Sequence, residues 1–204
     1  MNSLQALARL RRLGTPVVET ADAVAALGLT TASASQTLKR LATAKLITRI
    51  RHGVYWTDGE PDPYRLSEYL TAPFACYVSL HTALHLRGLI EQIPEVVYLA
   101  SLARTQRIAT TVGTFSVHHL APEVFGGFEE TSGGARVATA EKALFDTAYL
   151  SGGRSRLFTS LPELELPRGF RRRELARWLA RIPSARARTL TEKRLEKFLA
   201  GARG

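Results

Sequence analysis

Cysteine and long apolar segments are almost missing from this chain of 204 residues. Its one cysteine, Cys76, cannot form an internal disulfide, and a single thiol excludes a zinc site built from several cysteines. No apolar segment approaches the roughly 18 residues that a membrane-spanning helix requires. The N-terminal residues have leucines at helical spacing but no continuous apolar region, so we expect no signal peptide. These absences predict a protein of the reducing cytoplasm without a membrane partner.

Motifs of common enzymes are lacking as well. The sequence contains no GxGxxG fingerprint, no phosphate-binding P-loop and no GxSxG elbow. His81 and His85 are one helical turn apart, as zinc ligands can be, but no third ligand accompanies them at a useful spacing. His118 and His119 are neighbours on a predicted strand, so their rings point to opposite faces. We therefore predict no metal site and no cofactor.

Three charged residues share one predicted helix in the middle of the chain. Glu141, Lys142 and Asp146 are close in sequence, and this spacing is more typical of helix capping and of a structural ion pair than of acid–base catalysis. We predict that the protein is not an enzyme. The alternative is a nucleic-acid-processing enzyme that uses His118 or Asp146, which would require a metal ion or an adjacent carboxylate cluster.

Positive charge is concentrated at the two ends of the chain, which has a formal net charge of +10. Residues 1–60 carry eight Lys/Arg against four Asp/Glu, and residues 154–204 carry fourteen against five. Residues 61–153 carry six against nine. Two basic ends around a slightly acidic middle predict two contacts with a polyanion, most often a nucleic acid. The alternative is a solvated arginine-rich surface that has no partner.

The first sixty residues show the pattern of a helix-turn-helix. Leucines recur every third residue from Leu4 and predict a first helix that stops at Gly14. Thr20 is the predicted N-cap of a second helix. Gly28 stands where a left-handed residue ends that helix, and one residue separates it from Thr30, the start of a third helix.

The third helix has a narrow apolar stripe and a wide polar face. Ala34, Leu38 and Leu41 form the stripe that packs inward. The residues predicted to face DNA are Thr31, Ser33, Ser35, Gln36, Lys39 and Arg40. Gln36 suits an adenine edge, the serines suit bases or phosphates, and the two cations suit phosphates. The alternative is an ordinary solvated helix.

A basic hairpin follows this helix directly. Arg49 and Arg51 share one face of its first strand while Ile50 takes the other, and Gly53 permits a tight turn after His52. The returning strand, residues 54–56, is predicted to cover the core with Val54 and Trp56. Helix, short turn, helix and basic hairpin in this order predict a winged helix-turn-helix over residues 1–60, with Arg49, Arg51 and His52 contacting DNA.

The rest of the chain, residues 61–204, is predicted as a mixed α/β domain after a linker at Glu60–Pro63, which makes the fold class α+β. Strands are predicted near 76–78, 96–99, 114–118 and 136–138. Helices are predicted from a cap at Ser79 to Leu86 and from a cap at Thr139 to Leu150.

Residues 154–204 are predicted as a basic helical extension. Arg173, Arg177 and Arg181 are four residues apart and form a guanidinium stripe, opposite an apolar face of Leu175, Trp178, Leu179 and Ile182. With Arg171 and Arg172, the stripe is predicted to contact phosphates; the alternatives are a solvated face and a docking surface for an acidic protein. Thr189 and Glu192 form a capping-box pattern that predicts the start of a final helix.

Several segments resemble the AbiEi-type antitoxins of bacterial type IV toxin–antitoxin systems, which are also transcriptional autorepressors. The segments, in the family's order, are RHGVYW (51–56), YVSLHTALHLRGLI (77–90), EVVYLAS (95–101), GTFSVHHL (113–120) and TAEKALFDTAYL (139–150). The resemblance implies a repressor that binds double-stranded DNA at inverted repeats in its own promoter. It also implies a neighbouring nucleotidyltransferase-like toxin that the chain counters, and it implies DNA contact at the nine helix and hairpin positions named above. A winged-helix regulator with a ligand-sensing α+β domain and no toxin partner is the other interpretation.

Overall fold

The computed structural model describes residues 2–151, 161 and 163–203, and these form a mixed α+β fold with eight α-helices and two β-sheets. The helices are α1 (Ser3–Arg11), α2 (Thr20–Leu27), α3 (Thr31–Thr43), α4 (Pro63–Leu70), α5 (Leu80–Leu86), α6 (Ala140–Leu150), α7 (Arg172–Ala180) and α8 (Ala185–Ala200). The strands are β1 (Val17–Glu19), β2 (Thr48–Arg51), β3 (Val54–Trp56), β4 (Cys76–Val78), β5 (Val97–Ser101), β6 (Gln106–Thr110), β7 (Gly113–His119), β8 (Phe128–Glu130) and β9 (Arg136–Ala138).

The N-terminal part contains helices α1 to α3 and a small antiparallel sheet in the order β1-β3-β2. Gly28 ends α2 with a φ of 65°, as predicted. The predicted cap of α2 was wrong by one residue: Glu19 is the N-cap and Thr20 is the first helical residue. Thr20 takes another role because its hydroxyl donates to the Gly53 carbonyl at 3.4 Å and ties α2 to the β2–β3 turn.

Strand β3 lies between two hydrophobic cores. Tyr55 faces the smaller core, where the predicted stripe of α3 is fully buried with residues of α1 and α2. Val54 and Trp56 face the larger core on the other side of the sheet, which confirms the prediction that they cover a core. All three residues of β3 are buried.

The larger sheet has six strands in the order β6-β7-β5-β4-β9-β8. The pairs β5–β7 and β4–β9 are parallel and the others are antiparallel. The predicted strands and helices of this region are present, and their boundaries differ from the predicted ones by at most two residues. Three elements were missed: strands β6 and β8, and helix α4, which begins inside the predicted linker. Asp62 caps α4 by accepting from Tyr64 N at 2.8 Å, and Pro63 occupies its first turn.

The two sheets are joined through strand β2. The turn between β6 and β7 donates two hydrogen bonds to the β2 backbone: Thr111 N to Ile50 O at 2.9 Å and Thr111 Oγ1 to Arg49 O at 2.6 Å. Ile50 also belongs to the larger core. Backbone and apolar contacts therefore fix the hairpin against the middle of the protein.

A buried polar cluster lies between the helices of the larger unit, the part of the protein that contains the six-stranded sheet. Lys142 and Asp146 form an ion pair on α6, and neither side chain has exposed surface. Asp146 also accepts from the Tyr77 hydroxyl at 3.0 Å and from the Ser79 hydroxyl at 2.7 Å. Ser79 is the N-cap of α5, as predicted, but its hydroxyl makes no capping hydrogen bond and donates to Asp146 instead. The next residue, Leu80, is fully buried with a φ of 53°, a strained conformation for leucine.

Trp178 of α7 covers this cluster. The ammonium of Lys142 lies 4.5 Å from the centre of the Trp178 ring, and the guanidinium of Arg181 lies 4.3 Å from it. Leu175 and Ile182 are buried and Trp178 and Leu179 partly buried, which confirms the predicted apolar face. Gly127 allows the close approach, since a Cβ there would lie 2.5 Å from Trp178 Cζ2.

The last helix begins earlier than predicted. Ser184 is the N-cap of α8, and its hydroxyl accepts from Ala187 N at 3.3 Å. Thr189 lies inside the helix, so the predicted start there was wrong; the alanines and arginines that precede it are strong helix formers. The first part of the predicted extension, residues 154–160, lies outside the described residues. None of the described helices is long and apolar enough to cross a membrane.

Replacing Lys142 with methionine is expected to lower the free energy of unfolding by about 3 to 5 kcal/mol, because the Asp146 carboxylate is left buried without its cation. Urea denaturation followed by tryptophan fluorescence measures this loss. Lys193→Met, on an exposed position of α8, is the matched control and is expected to change stability by less than about 0.5 kcal/mol. Similar losses in both variants would contradict a structural role for the pair.

Candidate functional site

The predicted DNA-facing residues of α3 lie at the surface. Thr31, Ser33, Gln36, Lys39 and Arg40 are exposed, whereas Ser35 is half-buried. Their placement follows from the helix period, because the buried stripe of Ala34, Leu38 and Leu41 fixes the opposite side of the helix. The polar face of α3 is therefore open, with Ser35 at its edge.

Four of these residues line one shallow concave surface of about 550 Å³. Ser33, Gln36, Lys39 and Arg40 contribute its polar groups, and Leu29, Thr37 and Thr43 complete it. The Ser33 hydroxyl already accepts from the Thr30 hydroxyl at 3.1 Å, and Thr30 caps the helix by accepting from Ser33 N. Gln36 and the two cations thus supply the hydrogen-bonding groups of this surface that the helix cap does not use.

The hairpin presents its basic residues on the outside. Arg49, Arg51 and His52 are exposed and Ile50 between them is buried, as the alternation predicted. A register shift between Arg49 and Arg51 marks an irregularity in the β2–β3 pairing, and Gly53 turns the chain with a φ of 75°. None of these residues lines the concave surface of α3.

The C-terminal arginines are exposed but partly neutralised. Glu174 accepts from Arg177 at 2.9 Å and lies 3.7 Å from Arg173. Arg181 rests on Trp178, and the backbone N–H of Arg171 donates to Glu141 at 2.8 Å. The five predicted phosphate contacts, Arg171, Arg172, Arg173, Arg177 and Arg181, all belong to an exposed surface. The stripe is therefore a mixed surface in which one carboxylate offsets two of the guanidinium groups.

A second concave site lies on one face of the larger sheet, and no sequence pattern predicted it. Tyr98 of β5, Ser116 of β7 and Arg107 of β6 are direct neighbours in the strand register. They line a cleft of about 610 Å³. Its other lining residues are His81 of α5, the segment before β5, which includes Gln92, Pro94, Glu95 and Val96, and Leu161. Predicting this cleft would require the pairing of β6, a strand that was missed.

Two neutral imidazoles are associated with this cleft: His81 lines it, and His118 contacts its lining residues Ser116 and Tyr98. Burial and the nearby His81 lower the pKa of His118 to about 4, and burial also lowers the pKa of His81. His118 Nε2 lies 2.9 Å from the Ser116 hydroxyl, and both His81 and His118 lie against the Tyr98 ring. No group of three His, Cys, Asp or Glu side chains that could hold a metal ion occurs in the described part of the chain.

The Asp146 carboxylate is fully enclosed. Burial raises its pKa, and Lys142, Ser79 and Tyr77 oppose that rise by hydrogen bonds. A group without exposed surface has no contact with a molecule in solvent. The helix that carries the TAEKALFD segment therefore directs its charged pair into the core rather than into either concave site.

No protein-family model matches the chain, and no curated protein sequence matches it.

The stability of the protein is expected to fall as the pH falls from about 6.5 to about 4. An unfolded chain protonates His118 near pH 6.5, whereas the folded protein holds it neutral to about pH 4, so the unfolded state binds more protons in this window. The full effect is about 3 kcal/mol. Chemical denaturation of the unmodified protein and of His118→Asn across this pH range measures the effect. The free energy of unfolding of each protein is expressed relative to its own value at pH 8. An equally steep loss in His118→Asn would contradict the assignment.

Proposed function

We propose that this chain is a double-stranded-DNA-binding repressor, and that residues 1–60 are its winged helix-turn-helix. The observation that carries the proposal is the polar face of α3, which is exposed directly after the left-handed turn at Gly28 and is followed by an exposed basic hairpin. Helix, turn, helix and hairpin in this order are the parts with which such domains bind a duplex.

In this proposal α3 enters the major groove. Gln36 reaches an adenine edge through its amide, which can donate and accept at once. Lys39 and Arg40 bind phosphates and fix the position of the helix. Both cations line the same concave surface as Gln36, so base contact and phosphate contact are made by one continuous face. Thr31, Ser33 and Ser35 lie toward the start of the helix, where small residues permit close approach to the bases.

The hairpin supplies contacts beside the groove. Arg49 and Arg51 are exposed on a strand whose backbone is held by Thr111, and His52 is exposed in the turn that follows. A held strand loses little conformational freedom when its side chains bind phosphate, so the basic groups act at small entropic cost. Net charge of +10 strengthens association with any duplex. The C-terminal arginines add charge to this field, reduced by the pairs with Glu174.

Regulation of its own operon and antitoxicity are the further parts of the proposal. They are supported by the ordered resemblance to AbiEi-type antitoxins, which implies inverted repeats as the DNA target and a nucleotidyltransferase-like toxin as the functional partner. Within the TAEKALFD segment, Lys142 and Asp146 have a structural role in the buried cluster. We assign them no catalytic part in countering the toxin.

A ligand-sensing regulator is the second candidate, and the cleft on the larger sheet favours it. Polar groups from three adjacent strands converge there with those of α5, as they do in small-molecule sites. This candidate keeps the same DNA-binding surface and differs in what controls it.

Arg49→Ala and Arg51→Ala are each expected to weaken binding to the chain's own upstream region and to reduce the slope of log affinity against log salt by about one. Each substitution removes one phosphate contact. Fluorescence anisotropy with the upstream duplex and a scrambled duplex, across a salt titration, measures both quantities. Gln36→Ala is expected to change preference at one base position and leave the salt slope intact.

Arg104→Ala is the matched control for this experiment. Arg104 is exposed like the hairpin arginines but precedes β6, at the far end of that strand from the turn that holds β2. The Arg104→Ala variant is expected to bind both duplexes as the unmodified protein does. The DNA-binding proposal fails if Arg49→Ala, Arg51→Ala and Gln36→Ala all bind with unchanged affinity and specificity.

Co-expression with the neighbouring gene tests antitoxicity. If that product is a toxin, the chain is expected to restore growth, and the Arg49→Ala/Arg51→Ala double variant is expected to restore it equally when both genes have an external promoter. Colony counts measure the rescue, and immunoblots verify equal expression. An expressed chain that does not rescue growth rules out the antitoxin part and leaves the repressor part standing.

A further inference from the structure

The cleft on the larger sheet has opposite charges at its mouth. Arg107 and Glu95 are both exposed lining residues, one on β6 and one just before β5. Both act on the Tyr98 hydroxyl: burial is the main cause that raises the pKa of Tyr98, while Arg107 lowers it and Glu95 raises it. Both charges therefore lie close enough to one phenol to act on it, and no salt bridge joins them in the described part of the structure.

The floor of the cleft is polar but uncharged at neutral pH. Ser116 is positioned by the ring of His118, which the surrounding residues keep neutral. The centre of the Tyr98 ring lies 5.4 Å from the centre of the His81 ring and 6.0 Å from that of His118. Since these rings carry no charge, Arg107 and Glu95 are the only charged side chains among the described residues that line the cleft.

The remaining wall is mostly apolar, with Gln92 as its polar member. Ile90, Pro94 and Val96 line it, and Ile93 at the rim is 75 % exposed. A volume of about 610 Å³ lies within the range of sites that hold small molecules, which is roughly 300 to 1,000 Å³. The cleft thus offers one cation, one anion, hydroxyl groups and an apolar wall.

We propose that this cleft binds a small zwitterion with an apolar side chain, either a free amino acid or a dipeptide. The guanidinium of Arg107 receives the carboxylate, for which its planar fork is suited. Glu95 receives the ammonium group. The side chain packs against Ile90, Pro94 and Val96, while the Tyr98 and Ser116 hydroxyls hydrogen-bond the polar end.

Occupancy of the cleft is coupled to the basic hairpin in this proposal, a part that rests on the proposed DNA-binding function. Arg107 and Ser116 face each other three positions from the turn end of β6 and β7. The same turn holds Arg49 O and Ile50 O through Thr111. A ligand that binds more tightly to one position of the β6–β7 hairpin therefore also favours one position of Arg49 and Arg51 on β2. The change in DNA affinity is set by how much more tightly the ligand binds that position than the other.

Calorimetry on the full chain tests the site without DNA. The probes are L-leucine and leucyl-leucine, with isocaproate, which lacks the ammonium group, and isoamylamine, which lacks the carboxylate. At least one zwitterion is expected to bind, and both single-charge probes are expected to bind at least tenfold more weakly. The stronger zwitterion identifies the source. Binding of no probe, or equal binding of isocaproate, overturns the proposal.

Matched variants test which side chain binds each charged group of the zwitterion. Arg107→Gln and Glu95→Gln are each expected to weaken zwitterion binding at least tenfold, whereas Arg104→Gln and Glu91→Gln, exposed neighbours outside the cleft, are expected to leave it unchanged. Equal effects in both sets overturn the assignment of the carboxylate and ammonium sites.

The coupling has its own readout. Saturating zwitterion is expected to change affinity for the upstream duplex at least fivefold, and Thr111→Val, which removes the hydroxyl bond to Arg49 O, is expected to bind the zwitterion normally while losing most of that change. An unchanged DNA affinity overturns the coupling. Zwitterion binding without any DNA binding overturns the repressor proposal alone, and DNA binding without zwitterion binding overturns the cleft proposal alone.

Discussion

The buried ion pair of Lys142 and Asp146 is the constraint around which the larger unit is arranged. Two opposite charges without exposed surface are stable only when their hydrogen bonds are met, and this requires residues from separate elements. Tyr77 comes from β4, Ser79 from the turn into α5, and Trp178 from α7. The position of each element is therefore tied to α6, and a shift of any one removes a contact from the buried pair.

Packing within the fold also positions the two concave surfaces, one on α3 and the other on the larger sheet. The strained residue Leu80 starts α5, which packs on β5 and places His81 at the cleft. On the other side of the molecule, β3 contributes to both cores. Apolar packing on both faces makes this short strand a shared wall, so the α3 helix and the larger sheet depend on a common element.

The local sequence pattern was sufficient to predict those segments whose structure depends mainly on their own residues. The stripe of α3 and the Thr139 cap of α6 were predicted because helix period and capping are short-range properties. The start of α8 was missed because two capping residues competed within one basic segment, and β6 was missed because it is a mostly exposed edge strand. The partner of Ser79 could not be predicted, since Asp146 is 67 residues away. The α3 part of the candidate site was predictable for the same reason as its helix, while the cleft depends on strand pairing across the fold.

The turn between β6 and β7 tolerates inserted residues less well than an ordinary surface turn. Hairpin turns usually accept added residues because their backbone faces water. Here Thr111 gives both its N–H and its hydroxyl to a strand of the other sheet. An insertion in this turn would therefore separate the two sheets as well as lengthen the loop. The length of residues 110–113 is consequently under a constraint that their exposure alone would not reveal, and variation in length is better accommodated elsewhere on the surface.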